Sequence, residues 1–253
     1  MTESPTPVIA GWRLQVYPEL GSTSDHLANL AAAGEGAGLA VLALRQTSGR
    51  GSRGRGWQSP TGNLSLSVLL RPTLGLAEAG MWPLLAGLAL FETAATALPG
   101  PSGLLLKWPN DVLLRGRKLA GILIDTALDP AGDVRWLILG MGANLAVAPV
   151  VPGRDTACLA DAGITPPAPE AFATTLLSAL AAWHETWRRE GQEPVHRAWL
   201  ARAHPVGTAL TVAYGETKLE GRFAGLSEEG YLLLRTVGGV RVLPTGDVLL
   251  SPT

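Results

Sequence analysis

The residues best suited to chemistry lie in one short segment, residues 46–57, which reads QTSGRGSRGRGW. The segment contains four glycines and three arginines, and it stands between an apolar run and an alternating one. Glycine lets the backbone approach a ligand closely, while backbone N–H groups and guanidinium groups bind anions. The segment therefore predicts a cradle for a phosphate or a carboxylate.

Three of the glycines, Gly49, Gly51 and Gly54, match the G-x-G-x-x-G spacing of dinucleotide-binding loops. That spacing has meaning only where a helix opens directly after the loop. Here Pro60, Gly62 and a strand pattern follow, so no helix N-terminus would face a pyrophosphate. The kinase and Walker loops fail too, because their other required residues are missing. A flexible basic loop without a ligand has the same composition, so the rest of the chain must decide.

Two lysines adjoin apolar runs in residues 104–125, which read LLLKWPNDVLLRGRKLAGILID. Burying the ammonium groups of Lys107 and Lys118 is costly unless an anion compensates them. They therefore indicate an anionic ligand or buried carboxylates. Asn110 and Asp111 lie between the runs, and both are also ordinary turn residues.

The residues 135–145, RWLILGMGANL, predict a buried strand that is broken at Gly140 and Gly142. A glycine within a strand indicates either that another group approaches the backbone closely or that the strand bulges. In residues 63–70, serines alternate with apolar residues, as in a half-exposed strand or in the wall of a pocket that excludes bulk.

Strands must position these residues, with helices packed against them. Hydrophobic periodicity predicts strands over residues 12–17 and 39–45, and helices over 25–33, 81–98, 169–191 and 194–203. Ser22 and Thr23 precede the first helix, where hydroxyls either cap the helix or bind a polar ligand. Short strands over 208–214, 219–226, 231–236 and 240–243 predict a small barrel filled by its own side chains.

The totals exclude several classes of protein. The 253 residues are 47% hydrophobic and 16% charged with a net charge of −1, so the chain is neither disordered nor drawn as a whole to nucleic acid. Cys158 is the sole cysteine and the histidines lack zinc spacing, which predicts a reducing, cytoplasmic setting without a structural metal. Residues 1–10 do not read as a signal peptide, and Glu92 interrupts the most apolar helical segment, so no membrane attachment is expected.

Three motifs, GRGSRGRGW, KWPND with RKLAGILID, and GMGANL, follow an upstream GSTS and together resemble the biotin protein ligases. The resemblance covers nearly the whole chain from Trp12 onward. It implies an α+β fold, in which residues 1–204 form a central mixed β-sheet flanked by helices, related to class II aminoacyl-tRNA synthetases. A small SH3-like β-barrel would follow in residues 205–253.

The same resemblance implies a two-step reaction. Biotin and ATP with Mg²⁺ would give biotinyl-5′-AMP, and the biotinyl group would pass to a lysine of the biotin carboxyl carrier protein of acetyl-CoA carboxylase or a related carboxylase. No helix-turn-helix precedes Trp12, so the chain is similar to the monofunctional ligases and is not expected to bind DNA. A homodimer is compatible with the resemblance.

Site residues follow from matched positions, and the resemblance implies that Lys118, Arg50 and Lys107 are catalytic and that Asp111 binds Mg²⁺. The residues expected to bind biotin are Ser22, Thr23, Ser24, Gln46, Gly49, Arg50, Gly51, Trp57, Lys118, Gly121 and Gly140. Those expected to bind ATP are Arg50, Arg53, Arg55, Lys107, Asn110, Gly142 and Asn144.

One position departs from the usual family loop, which reads Gly-Arg-Gly-Arg-x-Gly. This chain has Ser52 where the second arginine usually stands. Serine cannot make a bidentate, permanently charged contact to a phosphate. Either Arg53 or Arg55 supplies that cation, or the chain retains its intermediate less tightly.

Two other functions compete with this interpretation. A lipoate or octanoate ligase or transferase has a similar sheet, but a fatty chain needs apolar walls where this chain offers Ser22, Thr23 and Gln46. A non-catalytic nucleic-acid-binding module could use residues 46–57, the Gly/Arg loop. The near-neutral net charge of the chain and the lack of paired aromatic residues in that loop argue against this function.

Overall fold

Two β-sheets organise the residues that the structure describes, and the larger sheet carries the candidate site. This computed structural model describes residues 7–72, 76–100, 103–214, 216–244 and 246–249, with the backbone alone for residues 76–79. Within these ranges the larger sheet has eight strands in the order β1-β2-β3-β4-β8-β7-β6-β5. Its strands are β1 (Val8–Ile9), β2 (Trp12–Tyr17), β3 (Leu39–Ala43), β4 (Leu64–Leu70), β5 (Leu104–Lys107), β6 (Asp111–Leu114), β7 (Arg117–Leu128) and β8 (Val134–Ala143).

The large sheet is mixed, since β2 and β3 run parallel whereas the other neighbouring strands are antiparallel. In the described part of the chain, four α-helices cover its faces: α1 (Thr23–Ala32), α2 (Leu76–Ala97), α3 (Pro169–Glu190) and α4 (Glu193–Leu200). Strand β3 shows why the strands read as apolar runs. Its residues Leu39 and Val41 pack with α1, whereas Ala40 and Leu42 belong to the larger core with α2 and α3. The mixed sheet flanked by helices is confirmed.

The second sheet has five strands in the order β12-β11-β10-β9-β13 within the described ranges, with antiparallel neighbours. They are β9 (Ala209–Tyr214), β10 (Thr217–Leu226), β11 (Leu232–Thr236), β12 (Gly239–Leu243) and β13 (Asp247–Leu249). Leu210, Val212, Phe223 and Val248 are buried on one face. A small SH3-like β-domain is confirmed, and it includes β13, which the sequence pattern did not indicate.

Three sequence predictions differ from the structure. Helix α2 begins at Leu76 rather than at residue 81, and Pro83 lies within it. Residues 104–125 contribute three strands instead of two apolar runs, because Arg115 and Gly116 both adopt positive φ (51° and 76°) and turn the chain. Lys118 therefore lies near the beginning of β7.

The third difference concerns β8, which runs without a break through Gly140 and Gly142. Both glycines pair in register with β4 on one side and β7 on the other. The alternative of a bulge at these glycines is wrong. Among the described residues, no helix is both long enough and apolar enough to cross a membrane.

Candidate functional site

A polar pocket lies where the beginning of α1 meets strands β4 and β8. Helix α1 begins after Ser22, whose Oγ accepts a hydrogen bond from the backbone N–H of Asp25 (3.3 Å), so the predicted cap is present. This helix start brings the side chains of Ser22, Thr23 and Ser24 against the sheet, where all three are buried. The three residues predicted for the polar head group of the ligand, Ser22, Thr23 and Gln46, line this pocket together with Ser24.

A hydrogen-bonded network holds the polar groups of the pocket in place. The backbone N–H and the hydroxyl of Thr23 donate to Oε1 of Gln46 (2.8 and 3.0 Å), and Nε2 of Gln46 donates to Oγ of Ser59 (3.1 Å). The hydroxyl of Ser67 lies 2.7 Å from that of Thr23 and 3.1 Å from that of Ser24. A buried network with satisfied partners is rigid, so it fixes the donors and acceptors that a polar ligand would meet.

The Gly/Arg loop closes over this pocket. Backbone hydrogen bonds join Gly51 N–H to the Arg55 carbonyl (2.7 Å) and Trp57 N–H to the Gly49 carbonyl (2.8 Å). The pocket retains about 50 Å³ of free space. Small-molecule sites generally hold about 300 Å³ or more, so we expect the loop to move when a ligand binds.

Glycines of the sheet let other groups approach the backbone closely. A Cβ at Gly142 would lie 2.5 Å from Cε2 of Trp57, and one at Gly121 would lie 3.1 Å from Nζ of Lys118. A Cβ at Gly140 would instead lie 2.9 Å from Oγ of Ser24. Close approach, the first of the two interpretations of Gly140 and Gly142, is therefore what the structure shows.

Arg50 ties the loop to two carboxylates. Its guanidinium makes a bidentate pair with Asp125 on β7 (2.9 and 3.0 Å) and donates to Asp25 on α1 (2.7 Å). Burial alone would lower the pKa of Arg50, but the charges and hydrogen bonds of Asp125 and Asp25 raise it above its ordinary value. Arg50 therefore stays charged and lines the pocket while its fork is engaged by protein.

The two lysines share one buried carboxylate. Oδ1 of Asp111 lies 2.5 Å from Nζ of Lys118, in an ion pair without hydrogen-bond alignment, and Oδ2 accepts from Nζ of Lys107 (3.4 Å). The sequence left open whether a ligand or a carboxylate compensates these lysines, and the structure shows a carboxylate. Two ammonium groups on one carboxylate leave one positive charge in excess. Lys118 also faces the ring of Trp57, with Nζ 5.6 Å from its centroid.

A second cavity of about 370 Å³ adjoins the polar pocket. Ser52, Asn110 and Lys118 line both spaces. The charged residues around the second cavity are Arg53, Arg55, Asp111, Lys118, Arg154 and Asp247. Four cations and two carboxylates give this cavity an excess of two positive charges, which favours a polyanionic ligand.

Three predicted site residues do not line either space. Lys107 reaches the site only through Asp111. Gly49 is outside the lining, where its lack of a side chain leaves room for the backbone of Trp57. Asn144 is buried, and its Nδ2 donates to the Ala157 carbonyl (3.0 Å), so its side chain holds the chain rather than facing the pocket.

The expected magnesium role of Asp111 can be tested against its surroundings. Both carboxylate oxygens already face ammonium groups. Among the described residues, no cluster of three or more His, Cys, Asp or Glu side chains could hold a metal ion. As arranged, these residues do not form a magnesium site, and the metal role of Asp111 stays a prediction.

Sequence reasoning missed several participants. Asp25 and Asp125 close the GSTSD and LAGILID segments but gave no sign that they would hold Arg50. Arg154 and Asp247 reach the second cavity from distant parts of the chain, and no local pattern signals them. Ser67 was foreseen only as one of the small residues of a wall without bulk.

The arrangement suits one kind of chemistry. The rigid polar pocket, which suits a neutral head group, adjoins the second cavity, here called the cationic cavity, which suits a polyanion. Lys118 lies between them. Such a site can hold a carboxylate and a phosphate close together and stabilise the charge that develops as they react. The glycine-rich loop can exclude water from the product.

Comparison with known proteins finds matches along both sheets. Residues 21–144 match the biotin/lipoate A/B protein ligase family, and residues 207–251 match the biotin protein ligase C-terminal domain. The chain is 36% identical over 222 residues to the biotin–[acetyl-CoA-carboxylase] ligase of Paracoccus denitrificans, covering 83% of this chain and 90% of the relative. The ligase of the same name from Mycobacterium tuberculosis is 35% identical over 248 residues, with 95% and 90% covered.

A solved structure is similar over the same extent. It is the biotin protein ligase from Aquifex aeolicus in complex with biotin and ATP, which superposes with a TM-score of 0.78 and is 26% identical. The similarity covers 95% of this chain and 99% of that one.

Proposed function

This chain belongs to the biotin protein ligase family, and we propose that it activates biotin with ATP as biotinyl-5′-AMP and then transfers the biotinyl group to a lysine of a carrier protein. One observation carries the proposal: Lys118 lines both the polar pocket and the cationic cavity. The carboxylate of a ligand in the first would meet the phosphates of a ligand in the second at this ammonium group.

The polar pocket suits the ureido ring of biotin, a compact group with two N–H donors and one carbonyl acceptor. Oε1 of Gln46 accepts two hydrogen bonds from Thr23, and these bonds hold the pocket in one arrangement. The hydroxyls of Ser22 and Ser24 supply further donors and acceptors beside it. This polarity supports biotin over a fatty acyl chain.

The cations act where charge develops. Attack of the biotin carboxylate on the α-phosphate of ATP brings two anions together, so preformed positive charge stabilises the transition state. Lys118 is aimed at that point by Asp111, which Lys107 also contacts. In this proposal Lys107 acts by neutralising Asp111, so that Lys118 keeps its charge for the substrate. Arg53 and Arg55 face the nucleotide's phosphates from the loop.

The loop protects the intermediate. Biotinyl-5′-AMP is a mixed anhydride that water hydrolyses, so the closed loop must exclude water and then open for the carrier. Trp57, lying over Gly142 and Gly121, supplies the apolar cover. The role of Arg50 in this proposal is to anchor the closed loop through Asp25 and Asp125 and to add its charge to the pocket wall.

Further parts of the proposal concern the whole protein. Residues 1–204 would form the catalytic domain and residues 205–253 the C-terminal domain. The carrier is the biotin carboxyl carrier protein of acetyl-CoA carboxylase or a related carboxylase, which the names of the relatives support. We expect Mg²⁺ to accompany the phosphates of ATP. The single cysteine supports a cytoplasmic location, and a homodimer without DNA binding stays a prediction.

Pyrophosphate release from ATP tests the function, with biotin, lipoate and octanoate as alternative acids. We expect turnover with biotin alone and a loss of about 100-fold or more in Lys118→Ala, the size typical of a lost transition-state donor. Lys218→Ala, which removes an exposed lysine from β10, serves as the matched control and should retain full activity. Equal turnover with lipoate or octanoate would favour the related acyl ligases, and no turnover with any acid would refute the proposal.

A further inference from the structure

One carboxylate of the C-terminal sheet gathers three arginines at the rim of the second cavity. Oδ2 of Asp247 accepts a hydrogen bond from Nη1 of Arg55 (3.2 Å). The same oxygen lies 3.5 Å from Nη2 of Arg154 and 3.8 Å from Nη1 of Arg53. Two of these arginines belong to the Gly/Arg loop, so Asp247 connects the loop to a part of the chain almost 200 residues away.

Asp247 is itself held firmly. It opens β13 and pairs with Ala213 of β9, and the next residue, Val248, is buried in the small sheet. On its other side, a Cβ at Gly246 would lie 2.7 Å from Cγ1 of Val212 and 3.3 Å from Cζ3 of Trp108. Gly246 is thus packed closely against Val212 of β9 and against Trp108, which follows β5. The carboxylate is a fixed point, whereas the loop is the part that must move.

Ser52 orients one of the arginines toward this fixed point. The backbone carbonyl of Ser52 accepts from Nε of Arg55 (3.1 Å), and its hydroxyl accepts from Nη2 (2.8 Å). The remaining nitrogen of the fork, Nη1, then faces Asp247. Ser52 stands where the family loop usually has an arginine, and here it serves to aim Arg55.

From this geometry we propose that Asp247 is a positioning residue: it holds Arg53, Arg55 and Arg154 at the rim of the cavity and so keeps the loop in its closed position. Three guanidinium groups share one carboxylate, so they are held in place without being neutralised. A second part of this proposal rests on the proposed function: the excess positive charge of the three arginines faces the phosphates of ATP.

Limited trypsin digestion of the full chain tests the loop contact without any substrate, because trypsin cleaves after arginine. The variant is Asp247→Asn, and Glu220→Gln, which removes an exposed carboxylate from β10 of the same sheet, is the matched control. We expect Asp247→Asn to raise the rate of cleavage after Arg53 and Arg55 about fivefold, as for loss of a partly exposed ion-pair cluster. Cleavage after Arg188 should not change.

Asp247→Glu keeps the charge and should restore most of the protection, whereas a purely structural lesion would not be rescued by charge. Protection of the wild-type loop should also fall as KCl rises, with Asp247→Asn insensitive to salt, because screening weakens the pairs. The inference is overturned if trypsin cleaves the loop of Asp247→Asn at the same rate as the loop of the control variant. It is also overturned if cleavage after Arg188 rises as much as cleavage in the loop and salt does not change the protection of the wild-type loop.

Steady-state kinetics test the nucleotide part. In Asp247→Asn we expect KM for ATP to rise about fivefold through misplaced arginines, with KM for biotin unchanged because the polar pocket does not include Asp247. An equal rise in both constants overturns this part. Absence of pyrophosphate release from the wild-type protein refutes the proposed function alone, since the digestion experiment needs no activity.

Discussion

Gly142 offers a sharp test of how the loop covers the site. A Cβ at this position would lie 2.5 Å from Cε2 of Trp57 and 2.6 Å from its Nε1. Carbon atoms in contact prefer separations of about 3.5–4.0 Å, so Gly142→Ala must push the indole ring back by about 1 Å. The ring belongs to the loop rather than to the sheet, so the loop gives way.

The expected effect separates activity from stability. Displacing a group at the site by about 1 Å can cost about 100-fold in rate, so pyrophosphate release should fall by that order. Gly142 does not adopt a positive φ and lies in a regular strand. Alanine restricts the unfolded chain more than glycine does, which adds about 0.4–1 kcal/mol to the free energy of unfolding where the backbone tolerates it. The melting temperature should therefore stay unchanged or rise slightly.

The assay is pyrophosphate release with biotin and ATP, together with the amount of biotinyl-5′-AMP that escapes into solution. Gly36→Ala is the matched control, because a Cβ there would meet nothing within 4 Å and the residue is exposed. If the clash acts through the ring, Trp57→Ala and the double variant Gly142→Ala/Trp57→Ala should be equally active. Gly142→Ala with normal turnover, or a further loss in the double variant, would refute the reasoning.

Three further outcomes are expected. Asn63→Ala should lower the free energy of unfolding in urea by about 3 kcal/mol, because Oδ1 of Asn63 accepts from three consecutive backbone N–H groups after β8 (3.0–3.1 Å); a loss under about 1 kcal/mol would contradict this. Burial, and then the charge of Lys107, lower the pKa of His204. Below about pH 6.5 the unfolded state therefore binds a proton more readily than the folded state, and the free energy of unfolding falls. His204→Gln should flatten that fall in urea titrations at several pH values, and an unchanged pH dependence would count against it. Ser52→Arg should slow release of biotinyl-5′-AMP about tenfold by adding a charged contact, and unchanged release in a trapping assay would dismiss the idea that Ser52 loosens retention.

Much of the fold could be predicted because burial leaves a periodic trace in the sequence. The strands of the large sheet and the helices that flank it follow apolar runs bounded by glycine and proline. What failed was local conformation that composition does not reveal. Arg115 is a non-glycine residue with positive φ, so the hairpin between β6 and β7 had no clear turn signal. The three-residue strand β13 is too short to show a period.

The polar pocket could be predicted in outline because its hydroxyls are close in sequence and fit one ligand. The pairing of charges could not. Arg50 meets a carboxylate 75 residues away, and Arg55 meets one 192 residues away. Such partners depend on strand order, since β8 enters between β4 and β7 and so brings Gly142 beside Gly121. A list of cations in the sequence does not reveal which of them are already paired.

The two kinds of contact in the site match two different demands. Recognition needs a pocket that does not relax, and the hydroxyls of Thr23, Ser24 and Ser67 are buried and bonded to one another. Closure must be reversible within each turnover, and the loop is held by ion pairs through Arg50 and Arg55 that remain partly open to solvent. Exposed pairs contribute about 0–1 kcal/mol each, so several together can hold the loop closed while each is weak enough to break. Replacing them with buried bonds of the kind found around Thr23 would keep the product in place but delay its delivery to the carrier.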